Sequence, residues 1–216
     1  MTSSVLSSFR AVVIAAVVFG CASLSHAQIS FNVTVNTSAL SGSMANPLYL
    51  DFQLNDGAGW GDANNTAVIS DFKFGGGTVF APATTFGGAM GNLNSSMTLT
   101  DSAAFNEIFQ GFAPGAWLSF NVWLSTHVDL APTPDLFGFA ILDSNLSNIR
   151  TTAPGSDLFI EVDIDRSQPR IWTFSSLDGA VPAPLVVPVP EPSTYGLLAG
   201  SGLLLGCLYR RRSSRR

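Results

Sequence analysis

The chain has 216 residues and a formal net charge of −5, with 12% charged residues, about half the usual share of a soluble protein. The signs are segregated: from Gln28 to Val189 the basic residues are Lys73, Arg150, Arg166 and Arg170, against fourteen acids, a net −10. This excludes a nucleic-acid binder, which needs a basic face, and the wealth of Phe, Leu, Ile and Val excludes intrinsic disorder.

In chain order, the first element is an address. Arg10 is followed by an apolar run from Ala11 to Phe19, too short to span a bilayer, and then by Ser25-His26-Ala27. Small residues at Ser25 and Ala27 suit a signal peptidase, so residues 1–27 are expected to be a signal helix, cut between Ala27 and Gln28. Lipoprotein processing at Cys21, after Val18-Phe19-Gly20, is the competing reading. Cys207 lies in the C-terminal apolar segment, so both cysteines fall in parts expected to be removed. The exported domain would then stand without a disulfide framework.

Residues 28–180 read as the passenger domain, built from short strands. Ile29, Phe31, Val33 and Val35 alternate with polar residues, and so do Leu48, Leu50, Phe52 and Leu54. Weaker candidates are Thr66 to Phe74, Thr78 to Ala81 and Ser95 to Asp101. One helix is predicted from Ala103 to Gln110, where Phe105, Ile108 and Phe109 have helical spacing and Gly111 supplies a stop. Leu118, Phe120, Val122, Leu124 and Val128 then share one face of a long strand. Phe137 to Ile141, Leu158 to Ile164 and Ile171 to Phe174 follow. Period-two patterning with turn clusters between the runs predicts about eight to ten half-buried antiparallel strands, an all-β sandwich or jelly roll with one short helix.

Candidate chemistry is sparse. His127 has no second His or Cys to join it outside the two ends, and is expected on the polar side of the long strand. Glu161, Asp163 and Asp165 alternate along one strand face, which suits a solvated outer face, a calcium site or, least of all, catalysis. The loop from Asn55 to Asn65 places Asp56, Asp62 and Asn64 among glycines; hard oxygens on a flexible loop are what calcium takes, although the spacing is not that of an EF-hand, and a plain glycine-rich hairpin competes. Gly75-Gly76-Gly77 reads as a turn, since no Lys or helix start follows to make a phosphate loop. Trp117 and Trp123 share the polar side of the long strand, ~20 Å apart; they are either covered by another layer or a platform for sugar rings. No catalytic constellation emerges, so the chain is expected not to be an enzyme. A secreted hydrolase with an unconventional aspartate site is the alternative, to be judged by whether carboxylates converge in a pocket or line flat strand faces. No cofactor is expected apart from calcium, and no nucleic-acid partner.

The C-terminal end is the most specific stretch. Residues 181–192 hold Pro182, Pro184, Pro188, Pro190 and Pro192, and are expected to be an extended, semi-rigid linker. Residues 193–216 contain an apolar run ending at Tyr209, then Arg210, Arg211, Arg212, Arg215 and Arg216. Thr194 to Tyr209 would be ~24 Å long as a helix, short against a hydrocarbon core of about 30 Å. It reads as a weak transmembrane helix, with Arg210, Arg211 and Arg212 as the cytoplasmic stop-transfer.

Pro190-Glu191-Pro192, the short apolar run and the terminal arginines together resemble the PEP-CTERM sorting signal. The resemblance implies an exosortase-type membrane protease as partner, besides signal peptidase. It also implies export across the inner membrane, transient anchoring by the tail, and release to the outer surface or extracellular matrix, in association with exopolysaccharide or a biofilm matrix. A lectin-like, calcium-dependent carbohydrate-binding module is a second expectation. The passenger is similar to a recurrent group of PEP-CTERM passengers in Leu50-Asp51-Phe52-Gln53-Leu54, Ile69-Ser70-Asp71-Phe72, Pro134-Asp135-Leu136-Phe137 and Val162-Asp163-Ile164-Asp165. That resemblance supports fold and export and implies no activity.

Overall fold

The computed structural model describes residues 28–42, 47–127, 133–164 and 169–190. The signal segment, the sorting segment with Glu191, Pro192 and the arginines, and Asp165 lie outside the described residues. The strands in chain order are β1 (Gln28–Asn36), β2 (Leu48–Asn55), β3 (Thr66–Lys73), β4 (Thr78–Val79), β5 (Thr84–Phe86), β6 (Gly88–Gly91), β7 (Ser96–Thr100), β8 (Phe105–Ala113), β9 (Trp117–Ser125), β10 (Leu136–Leu142), β11 (Ile160–Asp163), β12 (Arg170–Thr173) and β13 (Leu185–Pro188). Among the described residues the only helical turn is a 3-10 turn at Ser38–Leu40.

The strands form two antiparallel sheets. One has six strands in the order β13-β1-β9-β3-β7-β6; the other has seven, β12-β11-β10-β2-β8-β4, with β5 also paired to β8. Inward positions on both sheets are apolar and buried, for example Phe31, Val33 and Val35 on β1 and Leu48, Leu50, Phe52 and Leu54 on β2. The two inner faces make one core. Phe120 of the six-stranded sheet meets Phe52 and Phe139 of the other, with ring centroids 5.3 and 5.1 Å apart. Edge-to-face and tilted geometries of this kind add to simple area burial. Seven phenylalanines are fully buried, which explains how the domain holds together without a disulfide.

Two expectations are corrected. The segment predicted as a helix, Ala103 to Gln110, is instead β8, paired to β2 along its length from Leu48↔Phe112 to Asn55↔Phe105. Its inward row is Asn106, Ile108, Gln110 and Phe112, so two amides interrupt the apolar alternation and leave only helix-like spacing visible. The amides are used. Asn106 Nδ2 donates to the carbonyls of Leu54 and Ala103, and its Oδ1 accepts from Gly88 N. Gln110 Oε1 accepts from Leu93 N while its Nε2 donates to Ala81 O.

The proline-rich segment is not a free spacer. Val181 is fully buried, held by a bond from its N–H to Ser176 Oγ and by Ser176 N to its carbonyl. Leu185–Pro188 then pairs antiparallel with β1, from Thr34↔Leu185 to Phe31↔Pro188, and Val189 N donates to Ser30 O. Prolines are tolerated because β13 is an edge strand. The folded unit therefore runs on to Val189, immediately before Pro190.

Candidate functional site

One end of the sandwich gathers the loops between β2 and β3, β7 and β8, and β9 and β10, together with both chain exits. The register follows from Gln28↔Ser125, Ala67↔Leu124, Thr66↔Thr100 and Asn55↔Phe105. Asp56 is buried here, and its Oδ1 accepts from Ala58 N and Gly59 N while Oδ2 accepts from Gly61 N and Asp62 N. The carboxylate is thus an internal cap for its own loop. Asp62 accepts from Asn64 N and Asn64 Nδ2, and Asn64 Oδ1 accepts from Asn65 Nδ2. The three sequence-predicted calcium ligands are brought into one loop, but they satisfy each other and the backbone rather than pointing at a common centre. Among the described residues no group of three or more His, Cys, Asp or Glu is placed to hold a metal.

Beneath this loop lies a feature that sequence reasoning missed. Asp101 and Asp135 are both fully buried. Asn65 N donates to both oxygens of Asp101, Asn65 Nδ2 donates to Asp135 Oδ2, and Gly57 N donates to Asp135 Oδ1. The Asp101 carboxyl is pushed up to about 7, first by burial and then by its hydrogen bond to Asp135; Asn65 N–H works the other way. A carboxyl that keeps its proton can donate to a carboxylate neighbour, so the pair is held together instead of repelling. Asn65 is the hub: its Oδ1 also accepts from Ser125 Oγ and His127 N. His127 follows the end of β9 rather than lying on it, and its backbone is what ties it to Asn65.

A second carboxyl pair sits on the outer face of the seven-stranded sheet. Asp51 on β2 is fully buried although it points away from the core, and its Oδ1 receives no donor. Glu107 on β8 lies beside it, directly opposite Gln53, and Gln53 Nε2 donates to Asp51 Oδ2 at 2.7 Å. Asp51 is pushed up to about 7 by burial and then by the Glu107 charge. Burial raises Glu107 too, while the hydrogen bond with Asp51 pulls it down. Asp51 is therefore the donor and Glu107 the acceptor of a shared proton. Alternation alone showed Asp51 outward; nothing in it signalled that Tyr49 and Phe109, packed edge to face at 6.0 Å, would help bury this face.

The carboxylates at Glu161 and Asp163 line the same outer face, with Glu161 opposite Gly138 and Trp172 and Asp163 opposite Leu136 and Arg170. Ser156 Oγ donates to Glu161 Oε1.

On the opposite side, β9 directs Trp117, Ser119, Asn121 and Trp123 outward. Asn121 is central in a polar row: Asn32 Nδ2 donates to Asn121 Oδ1 at 3.0 Å, and Asn121 Nδ2 donates to Asp71 Oδ2 at 2.8 Å. Trp117 is 41% exposed, whereas Trp123 is half-buried and donates its Nε1 to Gln28 Oε1. The two indoles thus flank a strip of half-buried amides and hydroxyls on this outer face.

Residues 188–216 match the family described as the PEP-CTERM protein-sorting motif. Neither the curated proteins nor the solved structures contain a match to the chain. The match bears on export and tail processing; the passenger stands on its geometry alone.

Proposed function

We propose that this chain, a PEP-CTERM sorting-domain protein, delivers a non-enzymatic sandwich domain to the cell exterior, where it binds neutral exopolysaccharide. The observation that carries the reading is the outer face of the six-stranded sheet, where Trp117 and Trp123 bracket the Asn32–Asn121–Asp71 row. Indole faces stack on sugar rings, and fixed amides choose among their hydroxyls. The net −10 of the passenger disfavours acidic polymers, hence the neutral class. Export and exosortase processing are what the tail motif implies; the matrix setting and signal-peptidase cleavage at Ala27 belong to the proposal.

Affinity electrophoresis of the passenger through gels containing neutral polysaccharides tests it. Retardation is expected for the native domain and is lost in Trp117→Ala and Asn121→Ala, which melt like the parent. Equal mobility of all three in every gel refutes the binding face. Cell fractionation with mass spectrometry of the C-terminus tests the sorting half: a protein retaining Arg216 in the inner membrane overturns it.

The convergence of Asp51 and Glu107 favours a second reading, a secreted hydrolase. Only Glu107 of that pair is open enough to meet a substrate. Loss of polysaccharide hydrolysis in Glu107→Gln, with binding retained, would establish it over the first.

A further inference from the structure

Both ends of the folded unit leave from the same end of the sandwich. β13 runs down β1 toward its start, and Val189 bonds Ser30, so the chain departs for Pro190 close to where Gln28 enters. The loop between β2 and β3 hangs from that end as well, because β3 begins level with the end of β9. At its tip stands Trp60, 77% exposed, the most exposed large apolar side chain among the described residues.

That loop is braced on both sides of Trp60. Four backbone N–H groups close on the Asp56 carboxylate, and Gly57 N is fixed to Asp135. At Gly61, φ is +78° and a Cβ would lie 2.4 Å from the Ser102 carbonyl, so the chain is packed too closely for a side chain. A loop braced from within, holding an indole out in water, is arranged for a surface rather than for the core.

We propose that this end seats on the lipid bilayer while the sorting tail is still attached, with Trp60 as its anchor in the interfacial layer. The inference rests on the tail reading. Four residues separate Val189 from Thr194, where the apolar run begins, and the five steps of chain between them span at most ~18 Å. The end that carries Trp60 is therefore held near the membrane surface by the chain itself. Tryptophan is the side chain most at home there, with its apolar body in the acyl boundary and its N–H at the headgroups. Acidity opposes the approach less strongly than the net charge suggests, because Asp56, Asp101 and Asp135 are turned inward and hydrogen-bonded, which leaves Asp62 as the exposed acid of this loop. Once the tail is cut, one indole cannot hold the domain on lipid, since even a single acyl chain gives only marginal binding. Seating thus lasts as long as the tail does.

The chain from Gln28 to Arg216, reconstituted in phosphatidylethanolamine–phosphatidylglycerol vesicles without any protease, tests this separately from sorting. Lipids brominated near the headgroup should quench part of the tryptophan emission. Trp60→Ser should abolish that quenched fraction, and Trp117→Phe should keep it. Because Trp60 is exposed, Trp60→Ser leaves the melting curve in place. Equal quenching in the parent and Trp60→Ser, or none in either, overturns the proposal, as does a photo-crosslinker at position 60 that captures no lipid. Failure of the chain to float with vesicles overturns both this inference and the tail reading; floating without quenching overturns this inference alone.

Discussion

Asp51 and Asp101 hold their protons up to about pH 7, while an unfolded aspartate releases its proton near 3.8. Between those values the folded state binds the extra protons. The stability these two groups contribute is therefore full below about pH 4, falls as pH rises toward 7, and is gone beyond. For Asp51, a rise of this size corresponds to about 4 kcal/mol at most. Melting at pH 5 and pH 8.5 should differ by about 5 °C or more in favour of the lower pH. Asp51→Asn should reduce that difference, because its amide donates to Glu107 without a proton to lose; the same pH slope in parent and variant would remove the pair from the account. Asp56 has a different part, as the acceptor that gathers its own loop. Asp56→Ala strands four loop N–H groups and should cost about 2–4 kcal/mol by urea unfolding. A calcium titration followed by melting separates an internal cap from a cation site: the cap predicts no shift at millimolar calcium. The sequence made Asp56 visible because acids among glycines suggest a loop site. It hid Asp51, Asp101 and Asp135, since each partner comes from a different strand or loop and no spacing brings Asp51 to Glu107.

At the level of elements, period-two runs placed most strands because their inward rows are purely apolar. β8 defeated that rule, since Asn106 and Gln110 face inward to tether the chain before β6 and before β7. Asn106→Leu keeps the volume and improves the alternation, yet it removes the acceptor for Gly88 N and the donor for Leu54 O. It should cost about 2–3 kcal/mol, with an urea midpoint unchanged from the parent as the contrary result. β13 was missed for a different reason: five prolines mask a strand whose pairing is needed on one edge only. The expected domain limit at residue 180 leaves out Val181, which is fully buried, and the whole β1–β13 ladder. A chain ending at Ala180 should melt well below one ending at Val189; coincident melting curves would restore the spacer reading.

For the whole molecule, the consequence of β13 is that the sorting motif has no slack. Pro190-Glu191-Pro192 follows directly on a residue hydrogen-bonded into the sheet, so a membrane protease must work against a folded domain or first peel β13 from β1. Peeling is cheap. The strand has four residues, pairs on one side only, and leaves Leu185 64% and Val187 48% exposed. Val186, packed on the core from this edge, is the side chain that holds it. Val186→Asp should undock β13, speed limited proteolysis between Val181 and Pro190, and accelerate tail removal in cells that carry the protease. Ten Gly and Ser residues inserted between Val189 and Pro190 should accelerate removal as well, with β13 still in place, because they supply the slack directly. If Val186→Asp accelerates cleavage and the insertion does not, the docked strand itself restrains the protease. If the insertion slows cleavage, the enzyme reads the folded end of the sandwich together with the motif, and the close coupling of β13 to the cut site is a recognition element rather than an obstacle.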